Sequence, residues 1–154
     1  MTGKIESRLA GMGVTLPKTT PPVANYVPYV QVGSTLYVSG QVAVQDGTMI
    51  TGKLGQNMAA EEGADAARVC AINLLAQVKA ACGGDLDRLK RVVKLTGFVN
   101  STPDFPDQPK VINGASDFLV EALGDAGRHA RSAVSAAALP FGVAVEIEGI
   151  FEIE

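Results

Sequence analysis

Arg131 and Glu146 are the two side chains whose types and positions most clearly allow chemistry. Arg131 opens a predicted strand of small, mostly apolar residues, SAVSAAALP, and Glu146 lies on the strand that follows. An arginine in that position either caps the edge of a sheet or points into a cleft. With Glu146 as its partner, it would form either a plain salt bridge or an anion-binding guanidinium beside a carboxylate. Spacing alone leaves these alternatives open.

His129 is the only histidine, and it ends the segment GDAGRHA (124–130) just before Arg131. That segment follows a predicted helix rather than a strand, so its glycines do not match a phosphate-binding loop. The sequence contains no hydrolase elbow, P-loop, dinucleotide fingerprint or metal-ligand pair. Without a recognisable nucleophile context, His129 does not predict a Ser-His-Asp triad, and a loop histidine is the simpler interpretation. We expect no metal and no cofactor.

Cys70 and Cys82 lie on one predicted helix, at a distance of roughly 18 Å if the rise is about 1.5 Å per residue. This separation is far beyond the reach of a disulfide. We expect both thiols to be reduced and buried as small apolar side chains.

Periodicity and turn signals predict the elements that must position Arg131 and Glu146. A helix at 58–82 is the clearest, with Asn57 as its N-cap and Gly83-Gly84 at its end. The other predicted elements, in chain order, are a short helix at 3–12, a proline-containing linker at 16–24, strands at 26–32 and 35–39 around a turn at Gly33-Ser34, a strand at 41–45 before a turn at Asp46-Gly47, a strand at 91–100, a loop at 103–109, a helix at 110–123, and strands at 131–138 and 143–153.

This order predicts an α+β fold with one mixed sheet and both long helices on one face. The last strand, 143–153, supports this prediction because apolar residues alternate along it with a second set that contains its glutamates. Its apolar set faces the helices, and its other set is rich in carboxylates. A solvated outer face explains that pattern, and so does a face that packs against other subunits and lines clefts between them.

Composition and charge limit the classes of function that we expect for this chain. The chain has 154 residues, of which 47% are hydrophobic and 19% charged, and this is typical of one globular domain. A net charge of -3 and scattered lysines and arginines argue against binding of nucleic acid. The sequence has neither a secretory signal nor a run of about 18 apolar residues, so we expect a cytoplasmic protein that does not bind membranes.

The C-terminal run ARSAVSAAALPFGVAVEIEGIFE (130–152) resembles the signature of the YjgF/RidA family. The run PYVQVGSTLYVSGQ (28–41) is similar to that family's first hairpin, and FVNSTPDF (98–105) with Ile112-Asn113 falls where the family has its strand-loop-helix segment. The resemblance covers roughly residues 22–153. It divides the chain into an N-terminal extension, 1–21, and a single family-like domain, 22–154.

The resemblance implies a chorismate-mutase-like homotrimer with a central barrel and sites in the clefts between subunits. It also implies hydrolysis of enamine and imine intermediates to 2-keto acids and ammonia. Arg131 would then bind the substrate carboxylate, and Glu146 would hold and polarise the attacking water. The other substrate-binding residues implied are Tyr29, Ser39, Gly40, Asn113, Ser132 and Ala133, with Asn113 beside a neighbouring subunit's site.

Three departures from the family pattern surround Arg131. His129 stands where the family usually has proline, Ala133 where the deaminases often have cysteine, and Ala138 where a basic residue is common. They leave open a non-catalytic trimer that binds small carboxylates for regulation, and, as a third possibility, ribonuclease or translation inhibition.

Overall fold

The computed structural model describes residues 3–20 and 24–154, and these ranges contain three α-helices and seven strands. The helices are α1 (Lys4–Gly11), α2 (Ala60–Ala81) and α3 (Gln108–Leu123). The strands are β1 (Tyr29–Val32), β2 (Thr35–Val42), β3 (Val44–Gln45), β4 (Thr48–Met49), β5 (Leu89–Asn100), β6 (Ala130–Ala136) and β7 (Val145–Ile153). In the described ranges, no helix is long and apolar enough to cross a lipid bilayer.

Five of the strands form one mixed sheet in the order β1-β2-β7-β5-β6. Only β5 and β6 run parallel, and α3 supplies the crossover between them, as a parallel connection requires. The central strand β7 pairs antiparallel with both β2 and β5. Both long helices pack on the same face, which confirms the predicted α+β fold with two helices on one side of a mixed sheet.

The alternation along β7 separates the two faces as predicted. Every second residue of β7, from Val145 to Ile153, is buried beneath the helices, whereas Glu148 and Glu152 are exposed on the other face. The buried set joins α2 and α3 in one continuous core. The opposite face, which we call the open face, has no helix over it in the described ranges.

The predicted helix at 58–82 is confirmed, although its N-terminal cap differs from the prediction. Asn57 uses its side-chain Oδ1 to accept from the backbone N–H of Lys53, 2.8 Å away. The helix instead begins after Ala59, whose backbone N–H donates to the Glu62 carboxylate at 3.0 Å. Asparagine is the better cap by type, but a competing local turn uses it first. Cys70 and Cys82 are both buried and unpaired, as expected.

The first hairpin is confirmed, with Gly33 at positive φ in its turn. The strand predicted at 41–45 is wrong in its extent. β2 continues to Val42, and Val44–Gln45 belongs to a separate two-stranded ribbon with β4. Asp46 and Gly47 form the turn of that ribbon, both at positive φ. The apolar run at this point gave no signal of a change of sheet.

The short N-terminal helix is confirmed as α1, and it is tied to the rest of the chain by polar contacts. The Asp87 carboxylate accepts from the backbone N–H groups of Lys4 and Ile5 at 2.9 and 3.0 Å. These two hydrogen bonds lower the pKa of Asp87. Leu9 of the same helix is buried in the common core. In the predicted linker at 16–24, residues 21–23 lie outside the described ranges.

α3 approaches α2 most closely at Gly114. A Cβ atom added to Gly114 would meet the backbone carbonyl oxygen of Ala64 on α2. A backbone obstacle cannot rotate away as a side chain can, so this contact fixes the position of α3. The neighbouring polar residues of α3, Asn113 and Ser116, are therefore held at a defined place over the sheet.

We predict that Gly114→Ala lowers the free energy of unfolding by about 1–3 kcal/mol, because the two helices must separate to admit the methyl group. Denaturant unfolding followed by circular dichroism measures the change. Gly11→Ala is the control, since nothing lies within 4 Å of a Cβ built at that helical position. It should change stability by less than about 1 kcal/mol, in the stabilising direction. Equal effects of the two substitutions would contradict the close approach.

Candidate active site

Arg131 lies on the edge strand β6 and extends over α3. Its neighbour in register is the buried Leu95 on β5, which places its side chain on the helix-covered face. Nη1 of Arg131 donates to Asn113 Oδ1 at 2.8 Å and to Ser116 Oγ at 3.1 Å. Nη2 donates to the backbone oxygen of Pro109 at 3.3 Å. Three acceptors of one helix thus hold the guanidinium in a fixed orientation.

Two hydrogen-bond donors of Arg131 remain available. A guanidinium carries five N–H groups, and the three bonds above use two on Nη1 and one on Nη2. Among the described residues, Nε–H and the second Nη2–H have no acceptor. Nε and Nη2 share one edge of the guanidinium, and a carboxylate can bind such an edge in a bidentate manner. The guanidinium is therefore oriented by α3 and retains the N–H donors that a carboxylate ligand would require.

Ser116 and His129 extend the hydrogen-bond network beyond Arg131. Ser116 Oγ lies 2.9 Å from His129 Nε2, and His129 Nδ1 lies 2.6 Å from the backbone oxygen of Gly127. A carbonyl oxygen only accepts, so Nδ1 carries the ring proton and Nε2 of the neutral ring accepts from the Ser116 hydroxyl. No motif in the sequence points to the contact between Ser116 and His129. Only the three-residue spacing of Asn113 and Ser116 places those two side chains on one helix face.

The pKa of His129 is lowered from its ordinary value, chiefly because the ring is partly buried. The hydrogen bond to Gly127 opposes this shift, and the nearby charge of Arg131 adds to it. The network therefore favours the neutral ring near pH 7. Arg131, His129 and Ser116, together with Asp117, Val120 and Arg128, line an open surface pocket of about 310 Å³.

Glu146 occupies a second cluster, on the open face of the sheet. Its register partners are Val42 on β2 and Phe98 on β5. β2 bulges between Val38 and Gln41, and the bulge brings Gly40 against the carboxylate, where a Cβ would meet Glu146 Oε2. Burial, followed by repulsion from Glu148, raises the pKa of Glu146. A carboxylate with a raised pKa is a better proton acceptor at neutral pH.

Within one chain the structure does not bring Arg131 and Glu146 together. The predicted direct pairing of the two side chains is therefore wrong for a single chain. Arg131 on β6 is in register with Leu95 on β5, which pairs with Gly149 on β7. Gly149 is three residues from Glu146, and β7 lies two strands away from β6. This offset is roughly 10 Å across the sheet and roughly 10 Å along it. The two side chains also leave opposite faces. Neither residue takes part in an ion pair within the described ranges.

The other predicted site residues divide between the two faces. Asn113 joins Arg131 directly, and Ala133 lies on the same face against the core. Ser39 lies in the bulge beside Gly40, and its hydroxyl donates to the backbone oxygen of Pro28 at 3.0 Å. Ser132 lies on the open face of β6. Tyr29 packs against the core from the edge strand β1, opposite Val38, and so does not face Glu146.

The side chains form no metal-binding cluster in the part of the chain that the structure describes. No group of three or more histidine, cysteine, aspartate and glutamate side chains there could hold a metal ion. The groups that the two clusters do present are one oriented guanidinium, one carboxylate of raised pKa and one imidazole of lowered pKa.

Comparison with known proteins identifies the class to which this fold and site belong. Residues 6–148 match the family model described as "YjgF/chorismate mutase-like, putative endoribonuclease", and the chain belongs to this family. A Trypanosoma cruzi protein, TCP17, is 48% identical over 154 residues, covering 99% of this chain and 96% of its own. The 2-iminobutanoate/2-iminopropanoate deaminase of Dermatophagoides farinae is 31% identical over 143 residues, covering 92% and 95% of the two chains.

Among solved structures, the Agrobacterium tumefaciens protein Atu1372 superposes with a TM-score of 0.92 at 50% identity. The match covers 97% of this chain and 92% of that one. The family resemblance of the C-terminal run and the first hairpin is thus confirmed, as is the fold it implied.

We predict that the free energy of unfolding falls as the pH is lowered through the folded-state pKa of His129. The folded pKa lies below the unfolded value of about 6.5, so the unfolded state binds the proton more readily and acid favours unfolding. Denaturant unfolding at about pH 7.5 and about pH 5 in wild type and His129→Gln measures the effect. Glutamine keeps an acceptor for Ser116 but does not titrate in this range, so the variant should lose less stability on acidification.

Proposed function

We propose that this chain is a hydrolytic deaminase that converts 2-imino acids and their enamine forms to 2-keto acids and ammonia. The observation that carries the proposal is the orientation of Arg131, which is held by three acceptors and keeps two N–H groups free for a carboxylate. A 2-imino acid has one permanent anion next to the carbon that must react, and this matches one fixed guanidinium. The similarity to the D. farinae deaminase supports the same substrate class.

The active site is completed between two subunits of a homotrimer. Arg131 with Asn113 comes from one subunit, and Glu146 with Ser39 and Gly40 comes from the open face of its neighbour. Support for this arrangement comes from the opposite orientation of the two clusters in one chain, which leaves each without the group that the reaction needs. Tyr29, Ser132 and Ala133 line the remaining walls of the cleft.

The reaction requires little beyond positioning. The Arg131 guanidinium binds the substrate carboxylate, and Glu146 accepts a proton from a water that adds to the imine carbon. The resulting carbinolamine loses ammonia and leaves the 2-keto acid. Imines also hydrolyse in free water, so a barrier reduction of only a few kcal/mol has a useful effect on the rate. No cofactor takes part in this scheme.

The test joins the purified protein to a serine or threonine dehydratase, with semicarbazide to trap the released imine. We expect faster formation of 2-keto acid than in the spontaneous reaction. Arg131→Ala should abolish the acceleration, and Arg131→Lys should lower it at least about tenfold, because an ammonium cannot reproduce the bidentate hold. Glu146→Gln should lower it by about 100-fold or more, as expected for loss of a general base.

Glu152→Gln is the matched control for Glu146→Gln, because both glutamates lie on the open face of β7. Sedimentation shows whether each variant assembles as wild type does. A correctly assembled protein that gives no acceleration with several amino-acid precursors would contradict the deaminase and favour carboxylate binding without turnover. Turnover of RNA, with affinity that falls steeply with salt, would instead favour the ribonuclease activity in the family's description.

A further inference from the structure

Ser116 lies between the imidazole of His129 and the guanidinium of Arg131. The direction of each hydrogen bond in this network follows from the donors available. Arg131 Nη1 donates to Ser116 Oγ, the Ser116 hydroxyl donates to His129 Nε2, and His129 Nδ1–H donates to the oxygen of Gly127. The proposed deaminase uses Arg131, with Ser116 only as one of the acceptors that orient it. It has no role for the imidazole, or for the serine as a reacting group.

We propose that Ser116 is an activated nucleophile with His129 as its general base, and that the pair reacts with small acyl esters or thioesters that carry a carboxylate. The arrangement has the features of an activated serine: a nucleophile within hydrogen-bond reach of a base, and a base oriented by a third group. Here the third group is a backbone carbonyl rather than a carboxylate. It fixes the tautomer that leaves Nε2 free to take a proton.

The surroundings of Ser116 favour removal of its proton. The lowered pKa of His129 keeps the ring neutral near pH 7 and therefore able to accept. The Arg131 guanidinium, which already donates to Ser116 Oγ, stabilises the negative charge that develops there. Gly127 holds its carbonyl in place, since it packs so closely on α3 that a Cβ would meet the backbone of Leu119.

An acyl group can reach Ser116 from solvent. Ser116 and His129 both line the open pocket of about 310 Å³ that also contains Arg131. The remaining walls carry charges of both signs, from Asp117 and Arg128, and Asp117 disfavours strongly anionic reagents. A ligand with one carboxylate near its acyl carbon can therefore contact the free edge of Arg131 while its carbonyl approaches Ser116.

The reaction balances without any further reactant. Ser116 Oγ bonds to the acyl carbon while its proton passes to His129 Nε2. The carbonyl re-forms as the bond to the alkoxide or thiolate breaks, and the leaving group takes the proton from Nε2. Water, deprotonated by the same nitrogen, then attacks the acyl-serine ester and releases the acid and the free hydroxyl.

The experiment treats the full-length protein with para-nitrophenyl hydrogen succinate, which carries a carboxylate, and separately with para-nitrophenyl acetate, which does not. Stopped-flow absorbance records release of para-nitrophenolate, and peptide mass spectrometry locates the acyl group. We expect a burst with the succinate ester, acylation of Ser116, and slower acylation by the acetate ester. His129→Gln should slow acylation by about 100-fold or more, and Ser116→Ala should remove the burst.

Ser7→Ala is the control, because Ser7 is an exposed serine on α1 and should behave as wild type does. Circular dichroism shows whether each variant is folded. If Ser116→Ala does not fold, His129→Gln still tests the proposal. Acylation only at lysines, or an unchanged rate in His129→Gln, would overturn the proposal.

The carboxylate preference rests on the proposed role of Arg131, whereas the serine–histidine chemistry does not. Equal acylation of Ser116 by both esters would overturn the preference. Absence of acylation in a preparation that hydrolyses imino acids would overturn this proposal and leave the deaminase intact.

Discussion

Alternation of side chains along the strands determines where each polar group of this chain can act. A sheet covered by helices on one face sends neighbouring residues of a strand to opposite sides. Arg131 and Glu146 therefore diverge, one toward α3 and the other toward the open face, although they lie on strands separated only by β5. No side-chain rotation can reverse this divergence, so a reaction that needs both groups requires two chains.

The open face of the sheet carries exposed apolar side chains. Val32 and Tyr37 are 63% and 48% exposed there, and Val134 on β6 is 43% exposed, beside the carboxylates of β7. Exposed β-branched and aromatic side chains on one sheet are costly in water, and burying them against further copies of the chain removes that cost. The bulge in β2 places Ser39 and Gly40 at the same face, next to Glu146. This distribution of polar and apolar groups is what leads us to propose the trimer.

The sequence predicts most of the fold because long periodic segments determine it. The alternation of β7 identifies its buried face. The apolar stripe of α2 predicts the helix, although residues 69–78 are buried on all sides of it. Local competition was harder to predict: Asn57 makes a turn instead of capping α2, and the run after Val42 leaves the main sheet. For the site, the resemblance points to Arg131, Asn113 and Glu146, and their roles stay a prediction. Ser116 belongs to no motif, and its contact with His129 exists only because α3 and β6 are brought together by the fold.

Mixed assembly is the most direct test of a site divided between subunits. Arg131→Ala and Glu146→Gln proteins are inactive separately in our account, yet a hybrid trimer contains sites with an intact Arg131 from one subunit and an intact Glu146 from another. After the two variants are denatured together in equal amounts and refolded, about one quarter of the sites should be complete, because each intact group is supplied independently with a chance of about one half. Recovery of about a quarter of wild-type deaminase activity is the predicted result. Wild-type protein taken through the same procedure should regain full activity. If it does and the hybrid trimers are as inactive as either parent, the site is not divided between subunits.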